Sequence, residues 1–246
     1  MKPDIIYEDE YMLAAVKPYG MPSQADHSNR EDLISTVKNY IYDRGDTDEE
    51  PYLAVINRLD RPVAGIVLLA KTEDAAARLS DLLQDHRIEK CYQAVVRGEI
   101  PDDEGTLTDW LVFDKKENIS RVVPEGTKGA KKAVLSYEVL DVIDTDEGTF
   151  TYLLIHLETG RHHQIRCQMA HFGYPVYGDV KYGKAEKGGL GRKDRGKGKK
   201  ENKAPQIGLY STRMKFIHPF TNEEVFLHRE PEGAAFQLLD AEDPDW

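Results

Sequence analysis

Leu53-Ala54-Val55-Ile56-Asn57-Arg58-Leu59-Asp60-Arg61-Pro62-Val63-Ala64-Gly65-Ile66-Val67-Leu68-Leu69-Ala70 sets two apolar runs on either side of a polar interruption. Residues 53–56 and 65–70 have strand length and almost no polar atoms, so both are expected as buried strands. A connection between such strands normally holds turn residues, but this one concentrates Arg58, Asp60 and Arg61 before Pro62. Held near the interior, the Asp60 carboxylate would be kept ionised by its cationic neighbours. An ionised carboxylate in a cleft serves as nucleophile, base or electrostatic stabiliser. On these residues alone, a turn ion pair between Asp60 and Arg61, of small energetic consequence, is the more common arrangement.

Working outward, residues 5–17 read as two short strands around a turn at 8–10, with residues 14–16 buried. Pro18, Gly20 and Pro22 then force a loop. Residues 32–42 carry Leu33, Ile34, Val37, Tyr40 and Ile41 at helical spacing. Beyond the second run, Thr72 suits a helix N-cap, and Glu73 and Asp74 suit the positive end of the first turn. Ala76, Leu79, Leu82 and Leu83 supply that helix's apolar stripe. Residues 92–96, 133–142 and 151–157 read as strands, and residues 164–172 as a helix closed by Gly173. Residues 207–227 read as a hairpin turning at 219–222. No internal repeat is visible, and the irregular interleaving favours an α+β domain on a mixed sheet.

The 246 residues, 40% hydrophobic and 31% charged, fit a globular protein with one substantial core. No apolar run approaches the roughly 20 residues of a membrane span, and Met1-Lys2-Pro3-Asp4 lacks a signal-peptide pattern. Cys91 and Cys167 belong to no CxxC pair, which points to reduced core thiols and a cytoplasmic location. The net charge of −11 argues against a chain that grips nucleic acid through bulk positive charge. Its distribution is uneven: between Lys181 and Lys203, eight Lys and two Arg oppose Glu186, Asp194 and Glu201, giving +7 there and −18 elsewhere. That segment has six glycines and almost no large apolar residues, so residues 184–203 are expected as a flexible basic insertion. Residues 230–245 form an acidic tail.

Three further segments accompany residues 57–71 in order. They are Tyr11 to Pro22; Lys90-Cys91-Tyr92-Gln93-Ala94-Val95-Val96-Arg97-Gly98; and Thr159-Gly160-Arg161-His162-His163-Gln164-Ile165-Arg166, continuing from Ala170-His171-Phe172-Gly173 to Asp179. Together they resemble the signature segments of the RluA-type pseudouridine synthases, across roughly residues 5–230. The resemblance implies one catalytic domain over residues 1–246, without a separate N-terminal RNA-binding domain. It is expected to have a mixed, mainly antiparallel sheet, flanking helices and a central cleft. The implied activity isomerises specific uridines of ribosomal or transfer RNA to pseudouridine, on a base flipped out of its stack. Asp60 is implied as the catalytic carboxylate, Tyr92 as the active-site tyrosine that stacks on uracil and can assist proton removal from its carbon, and Arg166 as the guanidinium that pairs with Asp60. Arg58 is implied to enter the gap left by the flipped base or to contact the backbone nearby. Arg61, Arg161 and Lys17 are expected substrate contacts, and Lys71 a further phosphate contact. Asn57 stands where the family usually has His, Val63-Ala64 where it has Thr-Ser, and Tyr210 where His is common. These positions are expected to buttress the catalytic loop.

Breaking and remaking a glycosidic bond within one site needs no redox or carrier cofactor, and none is expected. Positive character develops at the sugar as the bond breaks, which suits a carboxylate that attacks a carbon or removes a sugar proton. No P-loop or dinucleotide fingerprint occurs, and His162, His163 and His171 lack metal-ligand spacing, so no metal is expected. A nucleoside hydrolase would call for a second, paired acid, and a silent RNA-binding module would not need Asp60, Tyr92 and Arg166. The expected partner is structured RNA, with no membrane and a monomeric chain. The 184–203 segment is expected to add salt-dependent RNA affinity.

Overall fold

In the computed structural model, residues 2–25, 31–45, 49–183 and 206–237 are described. The chain divides into two compact units, Met1–Tyr92 with Tyr210–Pro231, and Gln93–Leu209 with Glu232–Trp246. The basic segment 184–203 and the tail from residue 238 lie outside the described residues.

In the first unit, β1 (Asp4–Glu8) and β2 (Met12–Lys17) form an antiparallel hairpin. Asp9 closes its turn, its carboxylate accepting from the Tyr11 and Met12 N–H groups at 2.7 and 2.8 Å. β2 runs antiparallel to β4 (Ala64–Ala70), in register from Met12↔Ala70 to Lys17↔Gly65. Every residue of β4 is buried, which accounts for its unbroken apolar text. At its first two residues β4 lies parallel to β10 (Leu209–Ile217), Tyr210 opposite Ala64 and Ser211 opposite Gly65. β11 (Glu224–His228) pairs antiparallel with β10, completing the expected hairpin. This parallel pairing makes the sheet mixed, as expected for the α+β class.

Two helices carry the caps their sequences call for. α1 (Leu33–Asp43) starts at Asp32, which accepts from the Ser35 N–H at 3.1 Å. α2 (Glu73–Gln84) starts at Thr72, which accepts from Ala75 at the same distance. Ala75, Leu79 and Leu82 of α2 pack on Met12, Ile66, Leu68, Met214 and Phe216. The strand expected over residues 53–56 is only β3 (Ala54–Val55), half-buried against Leu69 and Ala70 of β4. It stops there because the next partners on β4 are taken by a side chain: the Asn57 amide donates to the Ile66 carbonyl at 3.2 Å and accepts from the Leu68 N–H at 2.7 Å.

β5 (Glu89–Arg97) leads the chain into the second unit. There β6 (Glu104–Asp114), β7 (Ile119–Val123), β8 (Lys131–Thr145) and β9 (Gly148–Leu157) form an antiparallel array, in the order β9-β8-β6-β7. α3 (Gln164–Phe172) spans the expected residues and ends at Gly173, whose φ of 104° is the left-handed cap that glycine adopts without strain. Its Cys167 packs with Leu111, Ala133, Val122 and Tyr182. Both cysteines are buried free thiols, as read from the sequence. Among the described residues, no helix is long and apolar enough to cross a membrane.

Candidate active site

The loop between β3 and β4 is fixed from three sides within the first unit. Asn57 anchors its start on β4 in the manner just described, which gives this departure from the family pattern a clear part in shaping the loop. Ser23 clamps Leu59, its hydroxyl donating to the Leu59 carbonyl and accepting from the Leu59 N–H, both at 3.1 Å. Gly20 donates to the Arg61 carbonyl at 2.9 Å, and Val63 to that of Asp60 at the same distance. The backbone around Asp60 is therefore held in one conformation. Asp60 itself is half-buried, while Arg58 and Arg61 are exposed. Neither guanidinium has an ion-pair or hydrogen-bond partner among the described residues, so the turn ion pair between Asp60 and Arg61 is not formed.

Lys17 departs from its expected place as a phosphate contact. It is fully buried. Its ammonium donates inward to the carbonyls of Pro18, Met21 and Arg61 at 3.1, 2.7 and 3.3 Å. The reason lies in its position: it is the last residue of β2, facing the gap between the 17–22 loop and the Asp60 loop, where its head group meets three carbonyls. Burial brings its pKa down to about 7, and the negative charge of Asp60 opposes that fall. Lys71 is also engaged with protein, donating to Glu8 at 2.9 Å and to the Asp9 carbonyl at 2.6 Å.

Tyr92, near the middle of β5, is buried in the same unit. Burial pushes its phenol well above the ordinary range; the neighbouring Ser211 hydroxyl opposes this and the Asp60 charge adds to it. The phenol is thus protonated at any physiological pH. Gly65 makes this neighbourhood possible. Its φ is +117°, and a Cβ there would lie 2.3 Å from the Ser211 carbonyl oxygen, so only glycine lets β4 and β10 meet beside the Asp60 loop.

Arg166 and Arg161 belong to the second unit. Arg166 is buried at the first turn of α3. Its guanidinium grips Asp179 in a fork, Nε and Nη2 donating at 2.7 and 2.9 Å. The Tyr182 ring lies 5.2 Å beneath the guanidinium carbon. Asp179 is fixed in turn by the N–H groups of Lys181 and Tyr182 at 2.9 and 3.1 Å. His163 takes a left-handed backbone conformation (φ 51°) at the N-cap of α3, with Nδ1 2.9 Å from the Tyr182 hydroxyl. Burial, then the positive charge of Arg166, presses its pKa down to about 2, so it is a neutral structural imidazole. Its ring stacks on His162 at 3.7 Å. Among the described residues, no group of three or more His, Cys, Asp or Glu is placed to hold a metal ion. Arg161 donates from Nε to the Lys132 carbonyl at 2.9 Å.

Asp60, Tyr92, Arg58 and Arg61 are thus brought together in one unit, with Lys17 beneath them. Ser23, Ser211 and Asp179 were not singled out in the sequence. Asp179 alone left a signal there, as the last residue of the segment that holds Arg166.

The family model for RNA pseudouridylate synthase matches residues 11–171. The tRNA pseudouridine synthase C of Vibrio parahaemolyticus is 30% identical, with 96% of this chain and 93% of that protein aligned. The uncharacterized RNA pseudouridine synthase YjbO of Bacillus subtilis is 32% identical over 92% of this chain and 71% of its own. Among solved structures, human RNA pseudouridylate synthase domain containing 4 superposes with a TM-score of 0.74, covering 98% of this chain and 95% of that one at 20% identity, a likeness of fold. With Asp60, Tyr92 and Gly65 at the signature positions and the family model spanning most of the chain, this protein belongs to the RNA pseudouridylate synthase family.

Proposed function

We propose that the enzyme isomerises a uridine of transfer RNA, with Asp60 as the catalytic carboxylate and Tyr92 and Arg166 in its support. In the reaction the N1–C1′ bond of uridine breaks, the uracil turns within the site, and C5 bonds to C1′. The C5 proton leaves and N1 gains one, so nothing is consumed. Asp60 meets the positive character that develops at the sugar. The protonated Tyr92 phenol offers uracil a flat, apolar face and a hydrogen-bond donor. Arg58 and Arg61, exposed and unpaired among the described residues, meet the phosphates on either side of the flipped nucleotide.

The observation that carries this reading is the over-determined backbone of the Asp60 loop. Three separate anchors hold the backbone that carries this half-buried carboxylate, an arrangement suited to preorganised chemistry. Arg166 enters through the motif that contains it. Its support is that a buried guanidinium already locked by Asp179 is a rigid donor of the kind that orients a carboxylate. Transfer RNA enters through the named activity of the Vibrio relative. The cytoplasm, where that substrate is found, is the proposed location, and the monomer and single catalytic domain are proposed with it.

The test is incubation with unmodified tRNA transcripts and detection of pseudouridine. The wild type should form it. Asp60→Ala should lose activity by about 10⁴-fold or more while keeping its RNA affinity, and an active Asp60→Ala enzyme would overturn the assignment. Arg166→Lys should lower kcat at unchanged KM, since an ammonium cannot reproduce the fork.

A further inference from the structure

The β7-β6-β8 array of the second unit carries an aromatic and basic face that the reaction itself does not use. Trp110 of β6 lies directly opposite Lys132 of β8 and Val123 of β7, while Val112 lies opposite Arg121. Directly paired residues share a face, so these five side chains stand on one side of the sheet. Leu111, Ala133 and Val122 stand on the other, packed with Cys167 of α3. The Trp110 face is thus the one turned away from α3. Trp110 and the two valines are half-buried, and Arg121 and Lys132 are exposed.

Two features set this face apart from an ordinary solvated sheet. The first is charge. In a chain of net −11, residues 114–132 carry Lys115, Lys116, Arg121, Lys128, Lys131 and Lys132 against Asp114, Glu117 and Glu125, with Lys132 and Arg121 on this face and Lys131, opposite Leu111, on the other. Arg121 is paired with Glu117, whereas the Lys132 ammonium has no partner among the described residues. The second is the indole. Trp110 is half-buried on this face, directly opposite Lys132, so its ring edge and face are open beside a cation. The face is also tied to the candidate site's own motif, because Arg161 bonds the Lys132 carbonyl and lies five residues before Arg166.

We propose that this face is a binding platform for an unpaired segment of the substrate RNA. One base stacks on the Trp110 indole, and the adjoining phosphates lie on Lys132 and Arg161. Aromatic stacking combined with a cationic track is the chemistry that holds single-stranded nucleic acid with little regard to sequence. The proposal rests on the reading of the enzyme as an RNA pseudouridine synthase, and it assigns to this surface substrate affinity rather than chemistry.

The test uses the full-length enzyme and an unmodified tRNA transcript, measuring Kd as a function of salt alongside single-turnover pseudouridine formation at saturating RNA. Lys132→Glu should weaken binding about tenfold and lower the slope of log K against log salt by about one. Trp110→Leu, which keeps an apolar side chain on the sheet, should weaken binding about fivefold or more with the salt slope unchanged. Both variants should retain the wild-type rate at saturation. Wild-type affinity and slope in Lys132→Glu would overturn the platform while leaving the activity standing. A wild-type enzyme that binds the transcript without modifying it would instead count against the functional reading, and the same affinity measurements would still decide the platform.

Discussion

Lys17 shows how a buried side chain can hold the Asp60 loop from beneath. Its buried ammonium ties the Arg61 carbonyl to the 17–22 loop, and its pKa near 7 lies far below the 10.5 of an exposed lysine. Between those two values the unfolded chain binds the proton and the folded one does not, so stability must rise with pH across that window. The cost of burying the charge is present in full below pH 7 and relieved above it. Wild-type unfolding free energy should therefore gain on that of Lys17→Met as pH goes from 7 to 9, at a limiting slope of ~1.4 kcal/mol per pH unit. Parallel denaturant titrations of the two proteins would show a flat difference if Lys17 were exposed. Asn57 makes a second prediction at this scale. Asn57→Ala would leave the Ile66 carbonyl and Leu68 N–H unpaired in the interior and should cost about 1–3 kcal/mol. Loop geometry would suffer with it, so activity should fall further than stability alone explains.

At the scale of elements, the decisive approach is that of β4 to β10. Gly65→Ala would put a methyl group into the Ser211 backbone at a φ that alanine avoids. It should destabilise the protein by about 2–4 kcal/mol or prevent folding, as read by thermal unfolding and by soluble yield. Elements with a strong local signal were legible. α2 declared itself through Thr72, its acidic first turn and its apolar stripe, and α3 through its stop at Gly173. β6 and β7 were not legible, because only Leu111 in β6 and Ser120 in β7 are buried; pairing of β6 with β8 and of β7 with β6, not burial, makes them strands. β3 was over-read because leucine and isoleucine text does not reveal that the Asn57 amide takes over its hydrogen bonds. The same limit applied to the site. Asp60, Tyr92 and Arg166 stood in recognisable segments, whereas the Lys17 carbonyl cage and the Ser23 clamp depend on contacts across 36–44 positions of sequence.

On the scale of the whole molecule, the reaction exchanges one bond of the substrate for another and consumes nothing. Pseudouridine formation should therefore continue in EDTA on an RNA whose fold does not need magnesium, and loss of the single-turnover rate under those conditions would contradict the scheme. The first unit is assembled from two distant pieces of chain, with the second unit lying between them in sequence. This ordering bears on how the protein is made. When Asp60 and Gly65 leave the ribosome, Ser211 has yet to be synthesised, and at roughly 5–20 residues per second it follows after about 7–30 s. Throughout that interval the flank of β4 waits for its parallel neighbour with its main-chain groups unpaired, an opening for mispairing or chaperone capture. Nascent chains stalled short of residue 210 should accordingly be protease-sensitive at the Asp60 loop, and chains released with β10 in place should resist.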